Sequence, residues 1–477
     1  MRLTNWLTRL ACGAAALCVG GQALAATQSL EILHDNDIHG HLRAFCYVEV
    51  AKGPAEHCGV GGAARRATLV RTLRARARTP VLLIDTGDTT TRGPLATDYE
   101  GVDEIAAMNA IGYDIAAVGN NEFKLKDAAD IEDATGAQAD LARLVRQSRF
   151  PWVAANVTEA DGSPPPGVKP YVIRRIGQLR VAFLGLTAPR SATYPQTKGL
   201  KFVDPVESAK TWVPKARAEA DVVIALTHIG VIDDQRLARN VAGIDAIVGG
   251  DSHTYLYQPL EVKNPDGVAV PIVQDGEFGV RLGVFDLTFE SDAHGWRLAR
   301  YVDRLEPVDS AIKPAPKLAA LVERYARPLD KPVGRLAVIG DVPGDRMAMT
   351  AEDLAIAFKA ETGADVGMQP EGDLFEVFRT HAVTRFQVHA ILPFHDTVWT
   401  GEVPGARLKE VLAKPNAFIG VMHATIAAAN VDPTKTYRVA TTDFVAQALF
   451  PGAGRPGEDA RAVTEAWLKA GAPGEIE

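Results

Sequence analysis

Residues 30–41 read Leu-Glu-Ile-Leu-His-Asp-Asn-Asp-Ile-His-Gly-His. The apolar run at 30–33 predicts a buried strand, and the polar residues after it predict a loop that carries Asp37 and His39. Carboxylate oxygens and imidazole nitrogens are the donors that bind Mn²⁺, Zn²⁺ and similar ions. A single Asp-x-His pair occurs by chance in many chains, so its meaning depends on the other strand ends.

Four further predicted strands end in loops of the same kind. The strands cover residues 81–84, 115–118, 222–226 and 244–248, and one more is predicted at 181–184. In an α/β sheet, loops of this kind converge at the carboxyl edge of the strands. The pattern therefore predicts one shared site rather than separate helix caps. The four loops begin Asp85-Thr86-Gly87-Asp88, Gly119-Asn120-Asn121-Glu122, Thr227-His228-Ile229-Gly230 and Gly249-Gly250-Asp251-Ser252-His253.

The alternation of strands and helices predicts an α/β layered domain with a mostly buried sheet. Helical patterns at 63–77 and 139–146 separate several of the strands. A helix at 314–327 is expected to connect this domain, residues 27–308, to a second one, with 309–334 as the linker. The second domain, 335–477, mixes helices at 351–361 and 406–412 with strands at 397–400 and 437–440, which predicts a smaller α/β or α+β unit.

The amino terminus has the layout of a secretory signal peptide over residues 1–25. Arg2 and Arg9 precede an apolar run at 10–20, and Ala23-Leu24-Ala25 forms a cleavage site. The alternative, a transmembrane anchor, requires ~20 apolar residues, and the run at 10–20 is too short for that. No later segment reaches that length either. We therefore expect a protein that is exported to the periplasm or secreted, without a membrane span.

The net charge and the cysteines indicate which class of partner the protein binds and whether it contains a disulfide. The formal net charge is −8, and cleavage of the leader would make it more negative. An acidic surface repels nucleic-acid backbones, which argues against binding to a nucleic-acid polymer; a small anionic substrate would have to be attracted locally, by a metal ion or a few arginines. Cys46 and Cys58 remain in the mature chain and are predicted to form a disulfide, the alternative being two free thiols. A zinc site at these cysteines is disfavoured because two sulfurs are too few.

In this order, the motifs Asp-x-His, Gly-Asp, Gly-Asn-x-Glu, Thr-His-x-Gly and Gly-x-Ser-His resemble the calcineurin-like metallophosphoesterases. Residues 31–42 and 270–289 are similar to the opening and closing strands of the 5′-nucleotidase / UDP-sugar hydrolase branch, and residues 389–412 and 437–444 to its substrate domain. The resemblance implies a sheet sandwich flanked by helices, joined by a helix to a smaller α/β substrate domain. It also implies a hydrolase with two divalent ions, Mn²⁺, Zn²⁺ or Mg²⁺, that lower the pKa of a bridging water for attack on phosphorus.

Carried over motif by motif, the resemblance implies seven metal ligands. One ion would be held by Asp37, His39 and His253. The other would be held by Asn120, His228 and Asp251, with Asp88 bridging both. The family usually has histidine at position 251, and aspartate there should favour harder ions such as Mn²⁺ or Mg²⁺.

A second departure concerns proton transfer. Where the family has Gly-Asn-His-Glu-Phe-Asp, this chain has Gly119-Asn120-Asn121-Glu122-Phe123-Lys124. The missing His and Asp form a dyad that helps the leaving group in relatives, and Asn121 donates a hydrogen bond but transfers no proton at neutral pH. We expect a preference for anhydrides and activated esters over nucleoside monophosphates, with Lys124 and His41 as alternative proton donors.

In the substrate domain, the resemblance places Phe394 and Phe444 as the pair that stacks on the base, and Arg346 as an anion contact. The alternatives are two core phenylalanines and a solvated surface arginine. Residues 369–374, Gln-Pro-Glu-Gly-Asp-Leu, replace the family's Asn-Gly-Gly-Gly-Ile-Arg. Three functions follow: hydrolysis of nucleotides or nucleotide sugars, hydrolysis of another phosphoester such as a cyclic nucleotide, or metal-dependent ligand binding without catalysis.

Overall fold

The computed structural model describes residues 26–48, 56–124, 136–293, 295–414, 420–452 and 454–473, so the predicted signal peptide lies outside the described residues. The strands are β1 (Thr27–Asp35), β2 (Phe45–Val48), β3 (Glu56–Val60), β4 (Val81–Asp85), β5 (Ile115–Ala117), β6 (Trp152–Val153), β7 (Val157–Thr158), β8 (Val168–Lys169), β9 (Tyr171–Ile176), β10 (Leu179–Thr187), β11 (Lys201–Phe202), β12 (Val222–His228), β13 (Ala246–Val248), β14 (Leu260–Lys263), β15 (Ala269–Val273), β16 (Arg281–Asp292), β17 (Gly295–Pro307), β18 (Pro332–Arg335), β19 (Val366–Pro370), β20 (Ala382–Thr384), β21 (Val398–Pro404), β22 (Met422–Ala424), β23 (Thr436–Thr442) and β24 (Gly454–Arg455).

Helices separate most of these strands. The α-helices are α1 (Ala63–Arg76), α2 (Ala96–Tyr99), α3 (Val102–Ile111), α4 (Gly136–Gln147), α5 (Pro205–Glu219), α6 (Val231–Asn240), α7 (Pro316–Ala326), α8 (Pro343–Thr362), α9 (Arg385–Ile391), α10 (Gly405–Ala413), α11 (Asp443–Leu449) and α12 (Ala460–Lys469). Short 3₁₀ turns lie at Asn121–Phe123, Pro189–Thr193, Pro195–Thr197, Arg327–Leu329, Glu371–Asp373 and Ala428–Asn430. None of the helices in the described part of the chain combines the length and the apolarity that crossing a membrane requires.

Two sheets form the amino-terminal part. One has the strand order β17-β16-β1-β4-β5-β6-β8 and the other β14-β15-β13-β12-β10-β9. β1, β4, β5 and β6 run parallel in the first sheet, and β10, β12, β13 and β15 run parallel in the second. The carboxyl ends of both parallel sets carry the predicted site loops, as expected for this class of sheet.

The two sheets pack face to face through buried apolar side chains such as Ile32 and Phe183. The outer face of the first sheet is covered by α1, α3, α4 and α7, and that of the second by α5 and α6. The predicted sheet sandwich flanked by helices is therefore confirmed. The predicted connecting helix corresponds to α7, whose buried residues Leu318 and Val322 belong to the core of the first sheet.

The carboxyl-terminal part is built on a five-stranded sheet with the order β22-β19-β23-β21-β24. One face packs on α8, α9 and α12 through residues such as Phe358 and Trp467. The other packs on α10 and α11 through Trp399, Leu408 and Leu449. This is the smaller α/β unit that the sequence predicts.

The predicted disulfide joins Cys46 to Cys58 across the β2–β3 hairpin. Glu56, at the start of β3, accepts hydrogen bonds from Arg346 at 3.0 Å and from Arg379. The hairpin that the disulfide closes therefore contacts the carboxyl-terminal part of the chain.

A glycine in β10, Gly185, packs directly against the backbone of the other sheet. A Cβ atom at Gly185 would lie 2.3 Å from the backbone of Val153 in β6. Because that neighbour is backbone and cannot rotate away, we expect Gly185→Ala to destabilise the protein by ~2–3 kcal/mol through overpacking. The urea midpoint of the purified variant measures this. Gly344→Ala is the control, since a Cβ there meets nothing within 4 Å and should leave the midpoint unchanged or slightly higher.

Candidate metal centre

The strand-end loops of the two sheets meet at one place. The Asp37 backbone N–H donates to the Gly87 carbonyl at 2.9 Å, which ties the loop after β1 to the loop after β4. The Asp251 backbone N–H donates to Asp37 Oδ2 at 2.8 Å, which ties in the loop after β13 from the other sheet. The predicted convergence of these loops therefore occurs across the sandwich.

The first group of donor atoms comes from Asp37, His39 and His253. Asp37 Oδ1 lies 3.2 Å from His253 Nε2 and 3.6 Å from His39 Nε2. The two imidazole Nε2 atoms are 3.2 Å apart. Asp37 and His39 are fully buried, and the ligand atoms of all three residues lie within 4.8 Å of one another, as a shared metal ion requires.

The second group comes from Asp37, Asp88 and His228. His228 Nε2 lies 3.2 Å from Asp88 Oδ2 and 3.8 Å from Asp37 Oδ1. Asp88 Oδ2 is also 3.8 Å from His39 Nε2, so each carboxylate faces histidines of both groups. Asp37 thus shares the bridging geometry that the resemblance assigns to Asp88 alone.

Asp251 and Asn120 complete the set of seven positions. Asp251 Oδ1 lies 3.5 Å from His228 Nε2. Asn120 Oδ1 and Asp251 Oδ2 both accept hydrogen bonds from the Arg190 guanidinium, at 2.8 and 2.7 Å. Sequence reasoning missed Arg190, although it follows β10 just as the predicted ligands follow their own strands.

The backbone at these positions is strained. Five of the ten non-glycine residues with positive φ in the described part of the chain are predicted ligands. A left-handed conformation is uncommon for side chains other than Asn, Asp and His, and clusters of such residues occur at functional sites. The strain therefore singles out the same loops as the donor atoms do. The five residues are Asp37, His39, Asp88, Asp251 and His253.

Hydrogen bonds fix the histidine tautomers with a nitrogen lone pair facing inward. His228 Nδ1 lies 2.8 Å from the Thr86 carbonyl, which can only accept a hydrogen bond, so Nδ1 carries the hydrogen. The lone pair of Nε2 is then available to a metal ion. His253 Nδ1 donates to Glu277 in the same way. A carboxylate or carbonyl behind a ligating histidine is the usual outer-shell arrangement of metal sites.

Two of these inward-facing atoms have charged neighbours but make no hydrogen bond within the described part of the chain. Asp37 Oδ1 and His228 Nε2 are buried and accept no hydrogen bond among the described residues. A buried polar atom of this kind is unfavourable unless an ion or water satisfies it. The donor set of carboxylate oxygens and imidazole nitrogens therefore fits divalent transition ions.

Electrostatics keep the carboxylates ionised. Burial opposes ionisation of Asp88, but the His228 and His39 imidazoles outweigh it and lower the pKa of this carboxyl below its usual value. Burial likewise disfavours the charged form of His228, while Asp88 and Asp37 raise the pKa of the ring well above its usual range. A proton and a metal ion therefore compete for His228 Nε2.

Residues of the Gly119–Lys124 segment hold Asp88 in position through hydrogen bonds. Glu122 accepts the backbone N–H groups of Asp88 at 3.0 Å and of Gly119 at 2.8 Å. Asn121 donates its backbone N–H to Asp88 Oδ1 at 2.8 Å, and its side-chain amide donates to Asp88 Oδ2. The structure therefore places Asn121 as a positioning residue for this carboxylate; a catalytic role stays a prediction.

The two alternative proton donors lie in different surroundings. His41 stacks on Phe278 with ring centroids 4.2 Å apart, and burial together with the charge of His39 lowers its pKa to about 4. Lys124 lies with its Nζ 3.9 Å from the centroid of the Tyr194 ring. Burial and the nearby Arg92 lower the pKa of Lys124 to about 8, so its ammonium group keeps a proton at pH 7.

The predicted substrate residues lie in the carboxyl-terminal part. Phe394 packs edge-on against Phe375, with ring centroids 5.3 Å apart, and Phe444 is 40% exposed. Arg346 donates to Glu56 and to the carbonyl oxygens of Gly340 and Asp341, so its hydrogen bonds are directed at protein groups. The base-stacking and anion-binding roles of these residues stay predictions.

A cleft runs between the two parts of the chain beside the metal centre. His41, Phe45 and Phe278 line it on the amino-terminal side. Met347 and Phe375 line it on the opposite side, and Phe375 also faces the Arg92 guanidinium at 5.6 Å. The aromatic walls of this cleft would suit a flat ring next to the site.

Comparisons with known proteins agree with this geometry. Residues 30–255 match the calcineurin-like phosphoesterase family, and residues 346–428 match the 5′-nucleotidase C-terminal domain. The snake venom 5′-nucleotidase of Gloydius brevicauda is 32% identical over 297 residues, which are 58% of this chain and 48% of that protein. The 5′-nucleotidase of Bos taurus is 33% identical over 281 residues, 55% of this chain and 46% of the relative. The chain thus spans about half the length of the curated relatives it matches.

Among solved structures, the 5′-nucleotidase precursor from Thermus thermophilus has the same fold, with a TM-score of 0.73 at 24% identity over 93% of this chain and 96% of that one. Both parts of the present chain are therefore accounted for, the first by the phosphoesterase family and the second by the C-terminal domain. The chain therefore contains a calcineurin-like phosphoesterase domain at residues 30–255, followed by a 5′-nucleotidase C-terminal domain at residues 346–428.

Proposed function

We propose that this protein is an exported phosphohydrolase that releases phosphate from nucleotides or nucleotide sugars and that holds two divalent ions. The observation that carries the proposal is the pair of buried donor groups that share Asp37. Asp37, His39 and His253 would hold one ion. Asp88, His228, Asn120 and Asp251 would hold the other, with Asp37 and Asp88 facing both. The resemblance to 5′-nucleotidases supports the substrate class.

When bound, the two ions supply Lewis acidity toward the phosphoryl oxygens and lower the pKa of a water molecule. The residues of this chain do the positioning. Thr86 and Glu277 hold the tautomers of His228 and His253, and Asn121 holds the carboxylate of Asp88. Of the two alternative proton donors, Lys124 keeps a proton at pH 7, whereas the pKa of His41 is lowered to about 4; neither forms the histidine–aspartate dyad of the family.

A substrate panel tests the function. Phosphate release is measured with AMP, a UDP-sugar, an aryl phosphate and a cyclic nucleotide, with Mn²⁺ or Zn²⁺ supplied and with a chelator as control. We expect metal-dependent release from the nucleotide substrates. Release only from the cyclic nucleotide would indicate the phosphodiesterase alternative, and no release from any substrate by a metal-loaded protein would indicate a binding protein.

Export is supported by the predicted leader and by the Cys46–Cys58 disulfide, since structural disulfides persist in oxidising compartments. Mass spectrometry of the protein recovered from the periplasm or medium should give a mature chain that begins at Ala26, with both thiols oxidised. Recovery of the full-length chain from the cytoplasm with reduced cysteines would contradict export.

Metal removal should also destabilise the fold. Without a cation, the facing carboxylates of Asp37 and Asp88 repel each other inside the protein. A ligand at a hundred times its Kd stabilises by about 2.7 kcal/mol, which corresponds to a Tm increase of about 5 °C for the phosphoesterase part. Differential scanning fluorimetry of chelated protein, before and after Mn²⁺ addition, measures this shift. An unchanged Tm with both Mn²⁺ and Zn²⁺ would count against an ion at this site.

A further inference from the structure

Arg190 is a cationic side chain that contacts the second ion position, the one proposed for Asp88, His228, Asn120 and Asp251. Its Nη1 donates to Asp251 Oδ2 at 2.7 Å, and its Nη2 donates to Asp251 Oδ1 and, at 2.8 Å, to Asn120 Oδ1. Asp251 and Asn120 are two of the groups that would hold the second ion. We propose that Arg190 competes with the second divalent ion for these oxygens and thereby makes that ion bind more weakly than the first.

Geometry places the competition at one carboxylate. Asp251 Oδ1 receives the guanidinium and also lies 3.5 Å from His228 Nε2, so it points to the space where a second ion would bind. A fork of two parallel N–H donors is the strong form of an arginine–carboxylate pair. An ion at this position has to share or displace the fork, and it also experiences the repulsion of the guanidinium charge.

The Asp37, His39 and His253 group has no corresponding competitor in the described structure. Its outer contact is the Glu277 carboxylate behind His253, which is negative and strengthens the histidine as a ligand. The two positions therefore differ in their direct hydrogen-bond partners: a carboxylate, Glu277, accepts from a histidine of the first, whereas the Arg190 guanidinium donates to two ligand groups of the second. Unequal affinity for the two ions follows from this difference.

The backbone of Arg190 lies in an ordered turn, and its side chain is exposed enough for the guanidinium to move away from Asp251. Arg190 sits on the Pro189–Thr193 turn that follows β10, whose last residue, Thr187, donates its hydroxyl to the Val118 carbonyl at 2.7 Å. Its side chain is 52% exposed, so the guanidinium can rotate into solvent when an ion takes Asp251. Displacement therefore requires no change in the backbone.

This inference rests on the proposed function, because it takes the two ion positions from it. The test is Mn²⁺ binding to the purified chain, measured as ions bound per chain by equilibrium dialysis and elemental analysis over a range of free Mn²⁺. The wild-type protein should bind one ion tightly and the second about tenfold or more weakly. Arg190→Gln should bind the second ion about tenfold more tightly than the wild type and leave the first unchanged.

Arg180 provides a matched control. It lies at the opposite end of β10, forms the same two-pronged pair with Asp221 at 2.9 and 3.3 Å, and is 49% exposed. Arg180→Gln should leave both Mn²⁺ affinities unchanged. Arg190→Lys, which keeps the charge but loses the fork, should give an intermediate second affinity and serves if Arg190→Gln fails to fold.

A double-mutant cycle separates competition at Asp251 from a general charge effect. In an Asp251→His background the carboxylate partner is gone, so adding Arg190→Gln should change the second affinity by a clearly smaller factor than in the wild type, and what remains measures the Asn120 contact and the guanidinium charge. An unchanged or weaker second affinity in Arg190→Gln would overturn the inference while leaving the proposed function intact. No Mn²⁺ bound to either protein would overturn the proposed function and this inference with it.

Discussion

Replacing Asp37 with alanine is expected to lower metal-dependent phosphate release by roughly a thousandfold, the equivalent of ~4 kcal/mol of transition-state stabilisation. The reason is that Asp37 Oδ1 faces His39, His228 and His253 at 3.2 to 3.8 Å, so its loss opens both donor groups at once. Steady-state phosphate release and metal content of the variant measure the effect. Both should fall together.

Two comparison variants sharpen this prediction. Glu277→Gln leaves the ligands in place but weakens the hydrogen bond behind His253, so we expect a smaller loss of about 10–100-fold in activity or metal affinity. Asp353→Asn alters a carboxyl group on α8 in the carboxyl-terminal part and should leave activity unchanged. An Asp37→Ala protein that keeps wild-type activity would exclude the proposed ion arrangement.

Restoring the family's proton-transfer dyad is expected to raise the turnover of nucleoside monophosphates selectively. The double change Asn121→His with Lys124→Asp supplies a histidine that transfers a proton and a carboxylate that orients it. General acid assistance is worth ~10²–10⁴ in rate, so we expect AMP turnover to rise at least about tenfold. Turnover of an aryl phosphate, whose leaving group needs little protonation, should change by about twofold or less. The kcat values for both substrates, measured side by side, test this.

Asn121→Ala is the control for this prediction. It removes the amide that holds Asp88 without adding an acid, so it should lower the turnover of all substrates by a similar factor. If the wild-type protein already hydrolyses AMP faster than a UDP-sugar and an aryl phosphate, the idea that it lacks leaving-group assistance is wrong. An equal rise for AMP and the aryl phosphate in the double variant would contradict it as well.

The sequence was sufficient to predict where the site lies, because that depends on strand ends. Short apolar runs followed by Asp, Asn or His in glycine-bearing loops mark the carboxyl edges of parallel strands, and β1, β4, β5, β12 and β13 were all found near the predicted positions. Five of the seven predicted ligands, Asp37, His39, Asp88, His228 and His253, lie in two groups that share Asp37, and the ligand roles of all seven stay predictions. The local sequence pattern and the order of strands in the sheets therefore indicate the same position for the site.

Side-chain direction could not be predicted in the same way. Asn121 follows a strand like its neighbours, yet its amide points to Asp88, and only the packing of the Asn121–Phe123 turn decides that. Glu277 lies between β15 and β16, 24 positions after His253, and becomes its partner only in the fold. Arg190 follows β10, but arginine is not a metal-ligand residue type, so the pattern of predicted ligands does not include it.

The carboxyl-terminal roles depend even more on tertiary context. Phe394 and Phe444 fit the family pattern in sequence, but whether a base stacks on them depends on how the two parts of the chain come together around a substrate. Arg346 illustrates the problem, because its guanidinium is engaged by Glu56 from the disulfide-closed hairpin. Such a contact between distant segments leaves no trace in local composition.

A crystal of the protein grown with excess Mn²⁺, with anomalous diffraction recorded at the manganese edge, tests the central claim most directly. We predict two anomalous peaks ~3.5–4 Å apart, the separation typical of two-metal hydrolases. One should lie within bonding distance of Asp37, His39 and His253, and the other within bonding distance of Asp88 and His228. A map without an anomalous peak at these side chains would contradict the assignment of this site as a metal centre.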